Sequence, residues 1–186
     1  MRPDERHEEE ALIVRAQHGE MDAYESLVRL FQHRIYRLCL RMTRVPQAAD
    51  DLAQETFIRA YGALPRFRAG QDFYPWIRRI AVNATLNDIQ AHKREEPLGD
   101  REPSVPEEMP QDELQRREAE DRLQEAWRAL PSDQQAVFTL RVVENLSYRE
   151  IAETLHLAPG TVMSRPNRAR ARLKKALAGF LDGRSG

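Results

Sequence analysis

From Tyr24 to Met42 the apolar side chains return at intervals of three and four: Tyr24, Leu27, Val28, Phe31, Ile35, Leu38, Cys39 and Met42. That interval is the helical repeat, so these residues share one stripe of a long amphipathic helix. The same spacing continues in Ala49, Leu52, Ala53, Phe57, Ala60 and Tyr61, and again in Trp76, Ile77, Ile80, Ala81, Ala84, Leu86 and Ile89. No segment alternates with period two for long enough to make a convincing strand. A shorter helix is expected over Glu8 to Ala16, broken by His18-Gly19-Glu20. Val45-Pro46 ends the long helix, and the next begins near Gln47. Gly62 to Phe73, with Pro65 and Gly70, reads as a loop, and a fourth helix follows from about Pro75. With 8 glycines and 7% aromatics in 186 residues, turn-rich β architecture is disfavoured and an all-α fold is expected.

Charge divides the chain. The formal net charge is −1, but residues 1–94 sum to +2, residues 95–122 to −7 and residues 123–186 to +4. The middle block holds 11 acidic and 4 basic groups, together with Pro97, Pro103, Pro106 and Pro110. Proline removes backbone donors and disfavours helix before it, and such acidic sequence buries too little apolar surface to fold alone. The expected architecture is two small helical domains, 1–94 and 123–186, joined by an acidic Pro-containing linker over 95–122. Helix resumes near Asp112 in ELQRREAEDRLQEAWRAL, which is rich in strong helix formers.

The C-terminal piece has the most specific punctuation. A helix through Leu130 stops at Pro131, Ser132 is an N-cap candidate, and DQQAVFTLRVVE continues as a second helix until Asn145-Leu146. Ser147-Tyr148-Arg149-Glu150 is a capping box: hydroxyl and carboxylate each satisfy an exposed amide of the first turn. Ile151, Ala152 and Leu155 follow on the inner face, and His156-Leu157-Ala158 forms a tight turn. Pro159 then stands where a first helical residue would, which suits its fixed φ and missing donor. Between Leu155 and Leu181 there is no acidic residue, while Arg165, Arg168, Arg170, Arg172, Lys174 and Lys175 fall within eleven positions. A basic helix end complementing its own dipole is the plain alternative. Capping box, turn and one-signed charge together describe a helix-turn-helix facing a polyanion.

The motifs ADDLAQETFIRAY at 49–61, FRAGQDFYPWIRRIAVNATLND at 67–88 and LP…LSYREIAETLHLAPGTVMSRPNRARARL at 130–173 carry a family resemblance. The chain resembles an extracytoplasmic-function, or group-four, bacterial sigma factor over about Ala11 to Leu181. The resemblance implies that the N-terminal domain binds core RNA polymerase and the −10 promoter element, and that the C-terminal domain reads the −35 element. It implies that the linker lies in the RNA-exit path. The implied partners are core polymerase (clamp helices of the largest subunit, flap of the second-largest), promoter DNA and an anti-sigma protein. Neither a cofactor nor a small-molecule substrate is expected.

By this resemblance the polar stripe Asp51, Gln54, Glu55 and Arg59 contacts the clamp helices. Phe67, Arg68, Arg78, Arg79, Asn83, Asn87, Lys93 and Arg94 would surround an unstacked base of the −10 non-template strand. Asn83 and Asn87 are four apart and share a helical face, and an amide both donates and accepts, so it can read a base edge. Phe67 would stack on that base or wall its pocket, and Arg78, Arg79, Lys93 and Arg94 would hold phosphates. Trp76 is expected in the core. Arg141, Thr161, Ser164, Arg165, Asn167, Arg168 and Arg170 would face the −35 duplex, where arginine bridges guanine acceptors and asparagine suits adenine.

Two residues depart from the family pattern. Pro166 falls inside the recognition helix, where it would delete an amide bond to Val162 and kink or delay the helix. Met163 replaces a usual basic residue. Enzyme chemistry finds little support: Cys39 lies on an apolar helical face, the five histidines are scattered without ligand spacing, and there is no glycine-rich phosphate loop. No apolar run approaches the length of a bilayer span, and the opening MRPDERHEEE is too acidic for a secretory signal, so a cytoplasmic protein is expected. A conventional helix-turn-helix regulator acting without polymerase, and a purely protein-binding helical module, are the remaining alternatives.

Overall fold

The computed structural model describes residues 3–68, 70–95 and 111–182, with side chains over 6–68, 70–93 and 117–175. Every regular element among them is helical, and the chain forms two compact units, Met1–Asn87 and Asp88–Gly186.

In the first unit α1 spans Pro3–Gln17, α2 Met21–Thr43 and α3 Pro46–Ala63, and α4 opens at Phe73 and runs to Glu95. The stripe predicted for α2 is its buried face: Leu27, Ile35, Leu38 and Cys39 have no exposed surface. Burying an aliphatic side chain of that size contributes about 1.5–3 kcal/mol, so this seam dominates the unit's stability. Arg44 ends α2 in the left-handed region (φ 61°), its amide donating to the Leu40 carbonyl at 2.8 Å. Pro46 then sits at the start of α3, where no amide donor is needed. The Tyr24 hydroxyl donates to the Phe57 carbonyl at 2.5 Å, and the Tyr24 and Tyr61 rings lie 4.9 Å apart. Cys39 is sealed beneath Thr85, and burial pushes its thiol up to about 11.

Two boundaries differ from the sequence reading. Helix α1 begins well before Glu8, over residues without an apolar period to announce it. Helix α4 begins at Phe73 rather than Pro75, so Pro75 occupies the first turn, where its missing donor is harmless. Between α3 and α4 a 3₁₀ turn, Leu64–Arg66, shortens the expected loop. Phe67, Phe73 and Trp76 pack together there, with centroids 4.9 to 5.8 Å apart. Trp76 is half-buried in that cluster, at the edge of the core rather than within it.

In the second unit α5 covers Gln111–Arg128, and α6, Ser132–Phe138, runs into a π-helical turn at Thr139–Val143. Most of the linker assigned to 95–122 lies outside the described residues, and its last twelve residues belong to helix α5. Ser132 is not the cap of α6. Pro131 holds that position, and the Asp133 carboxylate accepts from the Gln134 amide at 2.8 Å. Trp127 and Leu130 pack with Ala169 and Leu173 into a buried cluster, joined by Leu123, Ala126 and Phe138.

Helix α7, Tyr148–Leu155, opens on the capping box as expected: the Glu150 amide donates to the Ser147 hydroxyl at 3.2 Å, and the Ser147 amide donates to the Glu150 carboxylate at 2.8 Å. His156 closes the helix in the left-handed region (φ 53°). The segment expected to be one recognition helix is split into α8, Pro159–Met163, and α9, Arg165–Asp182, with a break at Ser164. That break accommodates Pro166: the proline falls in the first turn of α9 and costs no hydrogen bond. Val162, Pro166, Ala169 and Leu173 then share the buried side at helical spacing.

Ser147→Ala removes one half of the capping box and should lower stability by about 1 kcal/mol. Urea unfolding followed by circular dichroism measures it, and an unchanged midpoint would show that the cap contributes nothing.

Candidate functional site

Three surfaces carry the sequence-predicted residues. On α3 the buried face is Ala49, Leu52, Ala53, Thr56, Phe57 and Ala60, which turns Asp51, Gln54 and Ile58 toward solvent. Glu55 is half-buried and accepts from Arg59 at 2.6 Å, one turn along. Such an exposed pair adds only about 0.3–0.5 kcal/mol to a helix, so its groups remain available to a partner. Sequence reasoning misses Ile58, which is 73% exposed in the middle of the polar stripe. A signal for it exists: its position is half a helical turn away from the apolar face, where an isoleucine has nothing of its own chain to cover it.

The second surface is the segment from Leu64 to the start of α4. Arg68, Gly70 and Gln71 are exposed at its tip, with Gly70 at φ 80°, a conformation that glycine adopts without strain. On α4, Arg79 and Asn87 are exposed and Asn83 is half-buried, with the two asparagines one turn apart as their spacing implies. Phe67 and Arg78 are placed differently. Phe67 is 5% exposed within the aromatic cluster, and Arg78 is 7% exposed with its guanidinium carbon 5.5 Å from the Tyr74 ring centroid. The guanidinium carbon of Arg34 lies 3.3 Å from the same centroid. Within the second unit Lys93 donates to the Leu130 carbonyl, and burial lowers its pKa from the ordinary lysine value while Asp133 opposes that shift. The side chain of Arg94 lies outside the described residues.

The third surface is α8 with the start of α9. Thr161, Ser164, Asn167, Arg168 and Arg170 are exposed, and Arg172, Lys174 and Lys175 extend the basic side. Met163 is 56% exposed, an apolar group at the centre of this surface. Arg165 is turned inward: its side chain is 17% exposed and pairs with Asp133 at 3.0 Å. Arg141 is engaged within its own unit, donating to the Leu146 carbonyl at 2.9 Å with its guanidinium carbon 5.3 Å from the centroid of the Tyr148 ring. It thereby ties the end of the π turn to the start of α7. No cluster of His, Cys, Asp and Glu suited to a metal ion occurs among the described residues, and no helix among them is long and apolar enough to cross a membrane.

Comparison with known proteins places these surfaces in a family. The Sigma-70 region 2 family matches residues 27–95, and the Sigma-70, region 4 family matches residues 120–173. The chain is 37% identical to the RNA polymerase sigma-H factor of Pseudomonas aeruginosa, over 94% of this chain and 96% of that protein. It is 33% identical to the ECF RNA polymerase sigma factor SigW of Bacillus subtilis, over 89% and 94% respectively. In fold it is similar to CnrH, solved in complex with the cytosolic domain of CnrY, with a TM-score of 0.62 at 23% identity over 92% of this chain and 98% of that one. It is also similar to the sigma factor RpoE of Bartonella quintana, solved with the anti-sigma factor NepR, with a TM-score of 0.59 at 22% identity over 83% and 96%. The exposed stripe, the glycine-containing loop and the basic helix-turn-helix thus fall inside the two regions that define the family, and the chain belongs to the sigma-70 family as an extracytoplasmic-function RNA polymerase sigma factor.

Proposed function

We propose that this sigma factor binds core RNA polymerase through the outward face of α3, reads the −10 element with the Arg68–Gln71 loop and α4, and reads the −35 element with α8 and α9. The observation that carries the reading is the third surface. Arg168, Arg170, Arg172, Lys174 and Lys175 stand exposed on a stretch with no acidic residue, directly after a capped helix and a tight turn. A helix presented in that way enters a major groove, and its later cations meet phosphates. Thr161, Ser164, Asn167, Arg168 and Arg170 are the base- and phosphate-facing groups there. Arg165 reaches DNA only after leaving Asp133. Arg141 serves by holding the motif together.

At the −10 element, Arg68, Arg79, Asn83 and Asn87 contact the strand, while Phe67 and Arg78 act from inside as the frame. Extruding a base costs a few kcal/mol, which a pocket of donors and acceptors must recover. On α3, Asp51, Gln54, Glu55 and Arg59 supply polar contacts around Ile58, which fills an apolar recess on the polymerase. Interfaces concentrate their energy in such a centre, ringed by polar groups that exclude water. The protein carries out no covalent step. Two of the similar folds are seen bound to other proteins, one of them named an anti-sigma factor, and an anti-sigma protein that masks these DNA-facing surfaces is the implied regulator. Its work in transcription puts the protein in the cytoplasm.

A reconstituted transcription assay with core polymerase and a genomic promoter library tests the function. Added chain should create new start sites that share two upstream elements, and an unchanged set of starts would refute it. Gln54→Ala with Glu55→Ala should lower affinity for core polymerase at least about tenfold with helicity unchanged, since two interface contacts worth roughly 1 kcal/mol each are removed. Equal affinity in a polymerase-binding titration would move the contact elsewhere. Asp133→Asn should release Arg165 and raise affinity for the −35 duplex, at a stability cost above the ~1 kcal/mol of an exposed pair, because the Arg165 side chain is only 17% exposed. An unchanged or lower duplex affinity would show that Arg165 does not take part.

A further inference from the structure

Helix α1 lies outside the segment matched to the Sigma-70 region 2 family, and its sequence announces no role. In the structure it holds both ends of the −10-facing loop. The Gln17 side-chain amide donates to the Leu64 carbonyl at 2.9 Å and to the Phe67 carbonyl at 2.8 Å, spending both of its N–H groups on the entry to the loop. At the exit, the Glu9 carboxylate, on a residue only 8% exposed, accepts from the Phe73 amide at 3.1 Å, at the first residue of α4. Arg6 pairs with Asp72 at 2.8 Å beside it. A shallow groove between α1 and the loop is lined by Arg6, Glu9, Ile13, Phe67, Gly70 and Asp72. Between these anchors Arg68, Gly70 and Gln71 are exposed, and the Gln71 amide donates to the Arg68 carbonyl at 3.4 Å.

We propose that α1 sets the conformation of the −10-reading loop, with Gln17 as the positioning residue at its entry and Glu9 at its exit. The inference rests on the reading of that loop as a −10 contact. A loop that must be ordered on binding gives up affinity to do so. Anchors at both ends order it beforehand. The chemistry of the anchors is directional. Two carbonyl oxygens converge on Gln17, so only a donor satisfies them. At the exit, the first-turn amide of α4 needs an acceptor, which Glu9 supplies from another helix.

The test uses holoenzyme made with the full chain, and a single-stranded non-template oligonucleotide from a promoter at which that holoenzyme initiates. Gln17→Glu is isosteric but presents oxygens to two carbonyls, and should weaken oligonucleotide binding about tenfold through the loss of two hydrogen bonds. Gln17→Lys restores a donor and should bind within about threefold of the parent, as expected if one hydrogen bond is kept. Binding of both variants to a −35 duplex should be unchanged. Amide hydrogen exchange should quicken at Phe67 and Phe73 in Gln17→Glu and stay constant in α2. A Gln17→Glu chain that binds the oligonucleotide like the parent overturns the proposal. So does equal loss in both variants together with faster exchange in α2, which would make Gln17 an ordinary support of the fold. A separate arm replaces Arg68–Gln71 by Gly-Ser-Gly-Ser. If that change leaves oligonucleotide binding intact, the −10 reading of the loop is what fails, and the role of α1 in DNA recognition falls with it.

Discussion

The sealed apolar seam of α2 is the constraint on which the first unit depends. Leu27, Ile35, Leu38 and Cys39 exclude water completely, and α1, α3 and the start of α4 each commit their own apolar stripe to the same core. Once those stripes are committed, the opposite faces have no freedom. Asp51, Gln54 and Ile58 must point outward because Leu52, Ala53 and Phe57 point inward. Arg79 and Asn87 are outside because Ile77, Ala81 and Ala84 are inside. The proposed contact surfaces are the complement of the core, which is why hydrophobic burial, a non-directional force, can position polar groups.

The second unit applies the same logic on a smaller core with more local devices. Beside the cluster of Trp127, Leu130, Ala169 and Leu173 it buries Val137, Leu140, Ile151 and Val162 completely, and backbone punctuation shapes the connections: the capping box, left-handed His156 and Asn145, and a π turn at Thr139–Val143. The α8–α9 segment shows how a disruptive residue is absorbed. Pro166 would break a continuous helix, so the helix ends at Met163 and restarts at Arg165, and the proline ring fills an inward position in series with Val162 and Ala169. Met163, beside the break, is left exposed. Arg165 spends its charge on Asp133, while Arg168, Arg170, Arg172, Lys174 and Lys175 face solvent.

Much of this architecture is legible in the amino-acid sequence. Helical period locates α2, α3 and α4, and residue chemistry locates the capping box, the turn and Pro159 at a helix start. What escapes has no periodic or compositional trace. The early start of α1 lies in polar sequence. The π turn leaves the apolar pattern of α6 unbroken. Ser132 is a reasonable cap by type, yet Pro131 holds the cap position and Asp133 supplies the side-chain bond. Within the sites, the exposure of Gln54, Asn87 and Arg168 follows from their helical positions. The burial of Phe67 and Arg78 does not, since both depend on aromatic neighbours that the fold gathers around them. Gln17 and Glu9 are invisible for a related reason: a glutamine at a helix end and a glutamate in an acidic run look like solvated residues until the fold brings the loop they hold against them.

The central claim is that two separate all-helical units read one promoter at two places only when carried by polymerase. Hydroxyl-radical footprinting, paired with permanganate probing of thymines on a promoter selected by the holoenzyme, tests it most directly. The account predicts two protected segments separated by an unprotected stretch, reactive unpaired thymines around the downstream one, and neither signal with the chain alone. A single symmetric footprint produced by the free chain, with no unpaired thymines in the presence of polymerase, would contradict it.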